Sequence, residues 1–145
     1  MPKRPFIPDG AIDRILAYPK PPEAFEEEQL LAALTRLGLG YLGPQLRRSA
    51  RWDQELTYDE QLILAFARLV LHKPDCVVVD EALEALAPET RELVFDVLSK
   101  ELASTSLIAI DGPRAETARY DRVLRLVFDP GGTRLAPIAD ETKAA

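Results

Sequence analysis

One cysteine, one histidine and one tryptophan occur in 145 residues. The single Cys76 excludes an intramolecular disulfide framework and any zinc site built from clustered cysteines. The single His72 excludes a histidine-rich metal centre and leaves a Ser-His-Asp enzyme one residue to work with. No apolar run approaches the roughly 18 residues needed to span a bilayer. The opening Met1–Pro8 has basic residues but no apolar stretch behind them to make a signal peptide, so the chain is expected in the cytoplasm. Positive charge is also in short supply, with 18 basic against 24 acidic residues and a net charge of −6. That balance argues against a nucleic-acid-coating protein, whose affinity comes from neutralising phosphates. What is present, 47% hydrophobic and 29% charged residues, is ordinary for a globular chain. The length suits one domain, or one and a small appendage.

Six of the twelve prolines fall in residues 1–22. Fixed φ angles and missing donors bar a regular helix or central strand through those points, leaving room for one short helix at about Ala11–Ala17. Residues 23–37 place Leu30, Leu31, Leu34 and Leu37 at helical spacing behind Glu23, Glu26, Glu27 and Glu28. Gly38 is the expected stop. The stretch Gly38–Trp52 carries Arg47, Arg48 and Arg51 and no acid; it reads as a solvated basic loop or as a contact surface for an anionic partner or phosphate. Residues 56–73 give the clearest helix. Thr57 and Glu60 form a capping box, the body Gln61–Leu71 is apolar on nearly all sides, and Pro74 ends it after His72 and Lys73. A helix of that kind is buried on several faces.

Cys76–Val79 is a β-branched run ending in Asp80 and Glu81. Its continuous apolarity predicts burial on both faces, the habit of a parallel sheet. Pro88 opens a helix with Leu93, Val94, Val97 and Leu98 as its inner stripe. Leu107–Ile110 is a second buried strand, and the strand-helix-strand order predicts a βαβ unit. Arg122–Phe128 and Thr133–Ile138 flank Pro130-Gly131-Gly132 as a hairpin with a three- to five-residue turn. Carboxylates beyond the ends of parallel strands suit Mg²⁺ ligation and water activation, with Asp111 after the next strand as a third. The plainer reading is that the strand ends in Asp for loop capping.

The order of these pieces resembles the ATP-binding-cassette (ABC) ATPases. In that family a signature loop opens a helix, and the Walker B strand follows with a terminal Asp-Glu. The matching residues are Leu56–Gln61, Leu64–Arg68, Lys73–Asp75 and Val77–Glu81. Ala82–Ala87 is similar to the D-loop, and Leu107–Ile110 to the strand before the switch histidine. Pro2–Pro8 resembles the segment just after the Q-loop. Trp52 and the Pro-rich opening look most like the subgroup of SbmA/BacA-type bacterial transporters and peroxisomal fatty-acyl transporters. The resemblance runs from residue 2 to about residue 138. It implies a partial P-loop NTPase (ABC) fold of α/β class, with a helical subdomain, a remnant parallel sheet with its βαβ unit, and a C-terminal hairpin. Residues 1–22 would follow the Q-loop position, 23–74 would form the helical subdomain, 75–138 the C-terminal part of the ATPase core with Walker B, and 139–145 a tail.

The same resemblance implies a degenerate site. No Gly-x-x-x-x-Gly-Lys-Ser/Thr occurs in the sequence, so the backbone cradle and lysine for phosphates are lacking. By resemblance Thr57, Tyr58, Asp59 and Gln61 stand for the signature that binds ATP held by a partner domain. Tyr58 and Asp59 sit where Gly-like residues are usual, and Asp59 places a competing charge at a helix N-terminus. The Q-loop glutamine aligns with Lys3, the D-loop aspartate with Ala87, and the switch histidine with Gly112 or Pro113. Asp80, on the Mg²⁺ side through water, and Glu81, the general base, remain as the family requires.

Two functions follow from this pattern. The first is the C-terminal portion of an ABC transporter's ATP-binding domain, peripheral to the inner membrane and inactive in isolation. Its ligands would be ATP and Mg²⁺, bound only with a Walker A half. Its partners would be a permease docked near Leu30–Arg51, a second nucleotide-binding domain and copies of itself, with no nucleic acid. The second is a non-catalytic interaction or regulatory module that keeps the fold. A third reading, an unrelated Mg²⁺-dependent hydrolase, would use Asp80, Glu81 and Asp111. The remaining residues are expected to be structural. His72 sits as a favourable charge at a helix end, Cys76 is a small hydrophobe, and Trp52 packs the helices or faces a nucleotide interface. Arg114 is a surface residue or a phosphate contact.

Overall fold

In the computed structural model, residues 1–112 and 117–137 are described. The chain divides into two compact units, Met1–Pro113 and Arg114–Ala145.

The first unit is built on helices. α1 (Ile12–Ala17) follows a two-residue strand, β1 (Gly10–Ala11), which pairs antiparallel with β2 (Ser49–Ala50). α2 spans Glu27–Arg36. It starts later than the acidic run predicts, because Pro22–Ala24 is a separate 3₁₀ turn behind Pro21. At its far end Gly38 takes φ +80°. The Gly38 N–H donates to the Thr35 carbonyl at 3.1 Å and the Leu39 N–H to that of Leu34 at 2.8 Å. This is a Schellman stop, which a residue without Cβ adopts at little cost. A 3₁₀ segment, Gly40–Gln45, and the short α3 (Trp52–Glu55) lead to α4 (Tyr58–His72).

α4 is the centre of the core. Its capping box closes as the sequence predicts: the Glu60 N–H donates to Thr57 Oγ1 at 3.3 Å, and the Thr57 N–H to Glu60 Oε2 at 2.7 Å. Leu62, Leu64, Phe66 and Ala67 are wholly buried. They pack among Ile12, Ile15 and Leu16 of α1 and Leu34 of α2, and the same core takes in Val94 of α5 (Pro88–Glu101). Lys73 ends the helix in the left-handed region, with φ 45°. Pro88 takes the predicted first position of α5, where its missing N–H would have had no helical partner.

β3 (Cys76–Asp80) and β4 (Ser106–Ile110) pair in parallel around α5, with Val78 opposite Ile108. The predicted βαβ order is present, but burial on both faces is not. Val77 and Val79 face the core, whereas Val78, Ile108 and Ile110 are 45%, 52% and 53% exposed. The sheet among the described residues has only these two named strands, and Val77 and Val79 on one side join the same apolar cluster as the helices. Cys76 is likewise exposed instead of buried. Leu93 lies outside the inner stripe of α5, while Val94, Val97 and Leu98 are inside it. Beyond the other edge of β3, Pro2 bridges to Asp80 in parallel, and the Asp80 N–H donates to the Met1 carbonyl at 2.8 Å.

In the second unit β5 (Leu124–Asp129) and β6 (Gly132–Pro137) form an antiparallel hairpin. Asp129 pairs with Gly132, so the loop is Pro130-Gly131, shorter than predicted. The Gly131 N–H donates to Asp129 Oδ1 at 2.9 Å, an Asx-type contact that tightens the turn. Pro113, Arg114, Ile138 and the tail lie outside the described residues.

Candidate functional site

The strand β3 delivers Asp80 and Glu81 to its carboxyl end, and the turn after it is strained. Glu81 has φ 51°, a left-handed conformation that costs a residue with a Cβ about 1–2 kcal/mol. It is held there by its N–H, which donates to the Ile110 carbonyl at the end of β4 at 2.8 Å. Strain of this kind gathers at functional sites when the surroundings fix it.

The Glu81 side chain meets Lys3, whose Nζ lies 3.1 Å from Glu81 Oε2. Lys3 is itself tied to the start of α4, because the Tyr58 hydroxyl donates to the Lys3 carbonyl. The structure therefore brings together Tyr58, Lys3 and Glu81, which are far apart in sequence. Asp59, one residue on, accepts a hydrogen bond from the Ala87 N–H at 3.3 Å. Its carboxylate thus meets the residue that caps α5. The Gly112 N–H donates to Glu84 Oε2 at 2.9 Å, a contact that sequence reasoning missed.

Thr57 and Gln61 serve the local fold. Thr57 is the α4 cap, and Gln61 Nε2 donates to the carbonyls of Asp53 at 2.9 Å and Leu56 at 3.0 Å. Glu60 also accepts from the Tyr41 hydroxyl. Burial and the neighbouring Glu60 push the Tyr41 phenol up to about 12, while the bonds from Tyr41 and Thr57 hold the Glu60 carboxyl below its usual value. An open groove of about 650 Å³ is lined by Lys3, Arg4, Asp53, Tyr58 and Gln61.

The strand end offers the two carboxylates of Asp80 and Glu81, one of them paired with Lys3. Mg²⁺ is held by one or two carboxylates together with waters and substrate phosphates. Here Glu81 is engaged by an ammonium group. Among the described residues no three His, Cys, Asp or Glu side chains gather as a metal site. The expectation that Asp111 joins Asp80 and Glu81 is therefore not met, and the hydrolase reading loses its ligand set.

The basic stretch is a charge-balanced surface. Arg47 pairs with Glu27 and Arg48 with Glu55 at 2.6 Å, while Arg51 pairs with Asp53 at 3.3 Å and with Asp9 at 3.7 Å. Asp53 and Glu55 lie just past the end of the stretch, while Glu27 and Asp9 come from distant segments that local composition could not show. Arg48 holds the Glu55 carboxyl below its usual value through their hydrogen bond. Trp52 is 1% exposed, and its indole N–H donates to the Gly10 carbonyl at 2.9 Å; it packs the helices and does not face a groove. His72 Nε2 meets the Leu16 carbonyl at 3.1 Å. Burial lowers the His72 pKa, with Lys20 and Arg68 adding to the effect, so at neutral pH it is not the helix-end charge that the sequence suggested. Among the described residues no helix is long and apolar enough to cross a membrane.

No family model matches the chain. Curated proteins do. An uncharacterized ABC transporter ATP-binding protein of Haemophilus influenzae is 33% identical over 108 residues, covering 74% of this chain and 18% of that protein. Its relatives are ATP-binding proteins of ABC transporters. ABC transporter D family member 1 of Arabidopsis thaliana is 30% identical over 137 residues, covering 90% of this chain and 10% of its own length. The lipoprotein-releasing system ATP-binding protein LolD of a Jannaschia species is 38% identical over 90 residues, which is 61% of this chain and 39% of LolD. The chain thus spans well under half the length of each of these ABC relatives. The mixed α/β fold, with one parallel and two antiparallel strand pairs among the described residues, is compatible with part of an ABC ATPase domain.

Proposed function

We propose that the chain is the C-terminal portion of the ATP-binding domain of an ABC transporter and is catalytically inactive by itself. One observation carries the reading: a capped helix, α4, leads through Lys73-Pro74 into a parallel strand that ends in Asp80-Glu81. This is the family's order from signature to Walker B, and ABC ATP-binding relatives align over most of the chain. In this reading residues 1–22 follow the Q-loop, residues 23–74 are the helical subdomain, and 75–138 belong to the ATPase core. Trp52 and the Pro-rich opening favour the SbmA/BacA-like and peroxisomal fatty-acyl transporter-like subgroup. ATP and Mg²⁺ are ligands only of an assembly that includes a Walker A half. The partners are a permease, which places the domain at the cytoplasmic face of the inner membrane, and a second nucleotide-binding domain.

A second reading has its own support. Lys3 on Glu81, Tyr58 on Lys3 and Asp59 on Ala87 engage the positions that the family reserves for nucleotide chemistry. A non-catalytic interaction or regulatory module would keep such contacts. One experiment separates the readings. An immunoblot of source cells with an antibody to this chain should give a band several times heavier than 16.1 kDa if the transporter reading holds. A polypeptide carrying the Walker A half is then supplied in trans, and Mg-ATP binding is measured by calorimetry. Binding supports the first reading; no binding excludes a working ATPase and leaves the module.

A further inference from the structure

In the first unit Arg36, Arg47, Arg48 and Arg51 each pair with a carboxylate. Arg14, Lys20 and Arg68 do not: among the described residues no carboxylate lies within ion-pair reach of them. These three gather around the end of α1. The Arg68 guanidinium, brought there by α4, lies over the Tyr18 ring at 5.2 Å. Its donors reach the carbonyls of Phe6 and Tyr18 only at 3.4 and 3.5 Å, the outer limit of a hydrogen bond. Arg14 stands one turn before Tyr18, whose N–H donates to the Arg14 carbonyl at 3.0 Å. Lys20 Nζ lies over the Phe25 ring at 5.4 Å, and the same ring meets His72 edge-on at 5.0 Å. Tyr18 and Phe6 are 53% and 69% exposed. The acids nearest in sequence, Asp13 and Glu23, form no ion pair with the three cations; Asp13 Oδ1 instead accepts the Arg14 N–H at 2.6 Å. Burial lowers the His72 pKa, and Lys20 and Arg68 lower it further. The field at this end of α1 is therefore positive, in a chain of net charge −6.

We infer that the face formed by Arg14, Tyr18, Lys20 and Arg68 docks an acidic peptide segment of a partner protein. No nucleotide or metal enters this contact, so it holds under either reading of the function. A carboxylate brings what Arg68 lacks. A guanidinium carries five donors in a planar fork that matches a carboxylate bidentately. Here two nitrogens make long bonds to carbonyls, and burial lowers the Arg68 pKa, as expected of a cation short of solvation. Arg68 is half-buried, so a protruding acidic side chain reaches it more readily than a flat bilayer surface does. That favours a peptide over a membrane. Exposed Tyr18 sets an apolar ring beside the charge, and Tyr and Arg are the residue types that anchor protein interfaces. The Arg47–Arg51 stretch is the weaker candidate, because Glu27, Glu55 and Asp53 already answer its charge.

The test titrates the ¹⁵N-labelled chain with a synthetic peptide of Glu, Leu and Tyr, using its Gln-for-Glu counterpart as the neutral control. Amide shifts, the Arg68 Nε–Hε signal and the anisotropy of a labelled peptide are followed. The variants are Arg14→Glu/Lys20→Glu, on exposed positions that leave the core intact, and Arg47→Glu/Arg51→Glu as a charge-matched control. Amides far from either surface establish that each variant is folded. The acidic peptide should move the Tyr18 and Lys20 amides and the Arg68 side-chain signal, and added salt should weaken it. Arg14→Glu/Lys20→Glu should weaken binding by about tenfold, the loss of two exposed charge contacts, while Arg47→Glu/Arg51→Glu should bind as the native chain does. Four results overturn the inference: no binding of the acidic peptide, equal binding of its Gln counterpart, shifts confined to Arg47–Arg51, or unchanged affinity in Arg14→Glu/Lys20→Glu. Vesicles of phosphatidylserine in phosphatidylcholine supply the remaining arm. If they retain the native chain but not Arg14→Glu/Lys20→Glu, and the peptide does not bind, the face belongs to a membrane and the inference is overturned. Mg-ATP binding by the two-part assembly is read separately, so either failure leaves the transporter reading standing.

Discussion

Replacing Trp52 by phenylalanine isolates what the only indole contributes. The side chain is 1% exposed, its N–H donates to the Gly10 carbonyl at 2.9 Å, and the Arg48 guanidinium lies over the ring at 5.0 Å. Phenylalanine removes the donor and leaves the carbonyl of β1 without it, which costs about 1–3 kcal/mol. The smaller ring also leaves part of the indole volume empty, about another 1–2 kcal/mol by the cavity relation for large-to-small core changes. Together the loss is about 2–5 kcal/mol, a large part of the ~5–15 kcal/mol of a typical domain. With a urea slope of about 2 kcal/mol/M, the midpoint should fall by about 1–2.5 M in circular dichroism. The native chain offers an independent check, since its indole emission, excited at ~295 nm where tyrosine absorbs little, comes from this residue alone. Acrylamide should quench it several-fold less in the folded than in the unfolded chain. A midpoint shift below about 0.5 M, or free quenching of the folded protein, refutes the packing role and returns Trp52 to an interface.

The acid side of the stability profile should carry His72. Burial lowers its folded-state pKa, so the unfolded chain takes up its proton first. Stability present at pH 7 is lost as pH falls through the unfolded value of about 6.5 and on toward the folded one. Urea midpoints measured from pH 7 to 5 should fall in the native chain and flatten in His72→Gln; an unchanged slope refutes the cause. At Glu81 the left-handed backbone makes Glu81→Gly more stable than Glu81→Ala by about 1–2 kcal/mol; equal melting denies the strain. The open face of Val78, Ile108 and Ile110 should drive self-association at micromolar concentration. Val78→Thr/Ile108→Thr should shift light scattering toward the monomer, and a monomeric native chain counts against the open-face argument.

Local chemistry was legible and long-range company was not. The Thr57–Glu60 box, Gly38 and Pro88 all act within four residues of themselves, so their sequence signals translate directly into the ends of α2, α4 and α5. The β-branched run Cys76–Val79 announced a strand correctly. Whether its second face is covered depends on what else lies in the sheet, and apolar content alone cannot report that. Hence Val78, Ile108 and Cys76 were misplaced. The same holds for Leu93, which lies one residue outside a stripe read by periodicity. Arg47, Arg48 and Arg51 looked like a basic patch because the reading stopped at Trp52, just short of Asp53 and Glu55, and because Glu27 and Asp9 are supplied by distant segments. His72 looked like a useful charge because its helix position was visible and its burial against Leu16 and Phe25 was not.

In the proposed reading the departures from the ABC pattern are connected, and that bears on how the site diverged. Lys3 stands where a glutamine is usual, and its ammonium meets Glu81. Tyr58 stands where a small residue is usual, and its hydroxyl holds the Lys3 backbone. Asp59 and Ala87, two further departures, meet each other at 3.3 Å. Gly112, at the switch position, gives its N–H to Glu84. A neutral glycine at Tyr58 would leave Lys3 less firmly placed, and a glutamine at Lys3 would leave Glu81 without its counter-charge. Each change is therefore cheaper in the presence of its neighbour than alone, the condition under which substitutions in contact fail to add. Restoring a single family residue is then expected to disturb this network without rebuilding a nucleotide site, because the remaining partners still occupy the positions that phosphate and metal would need.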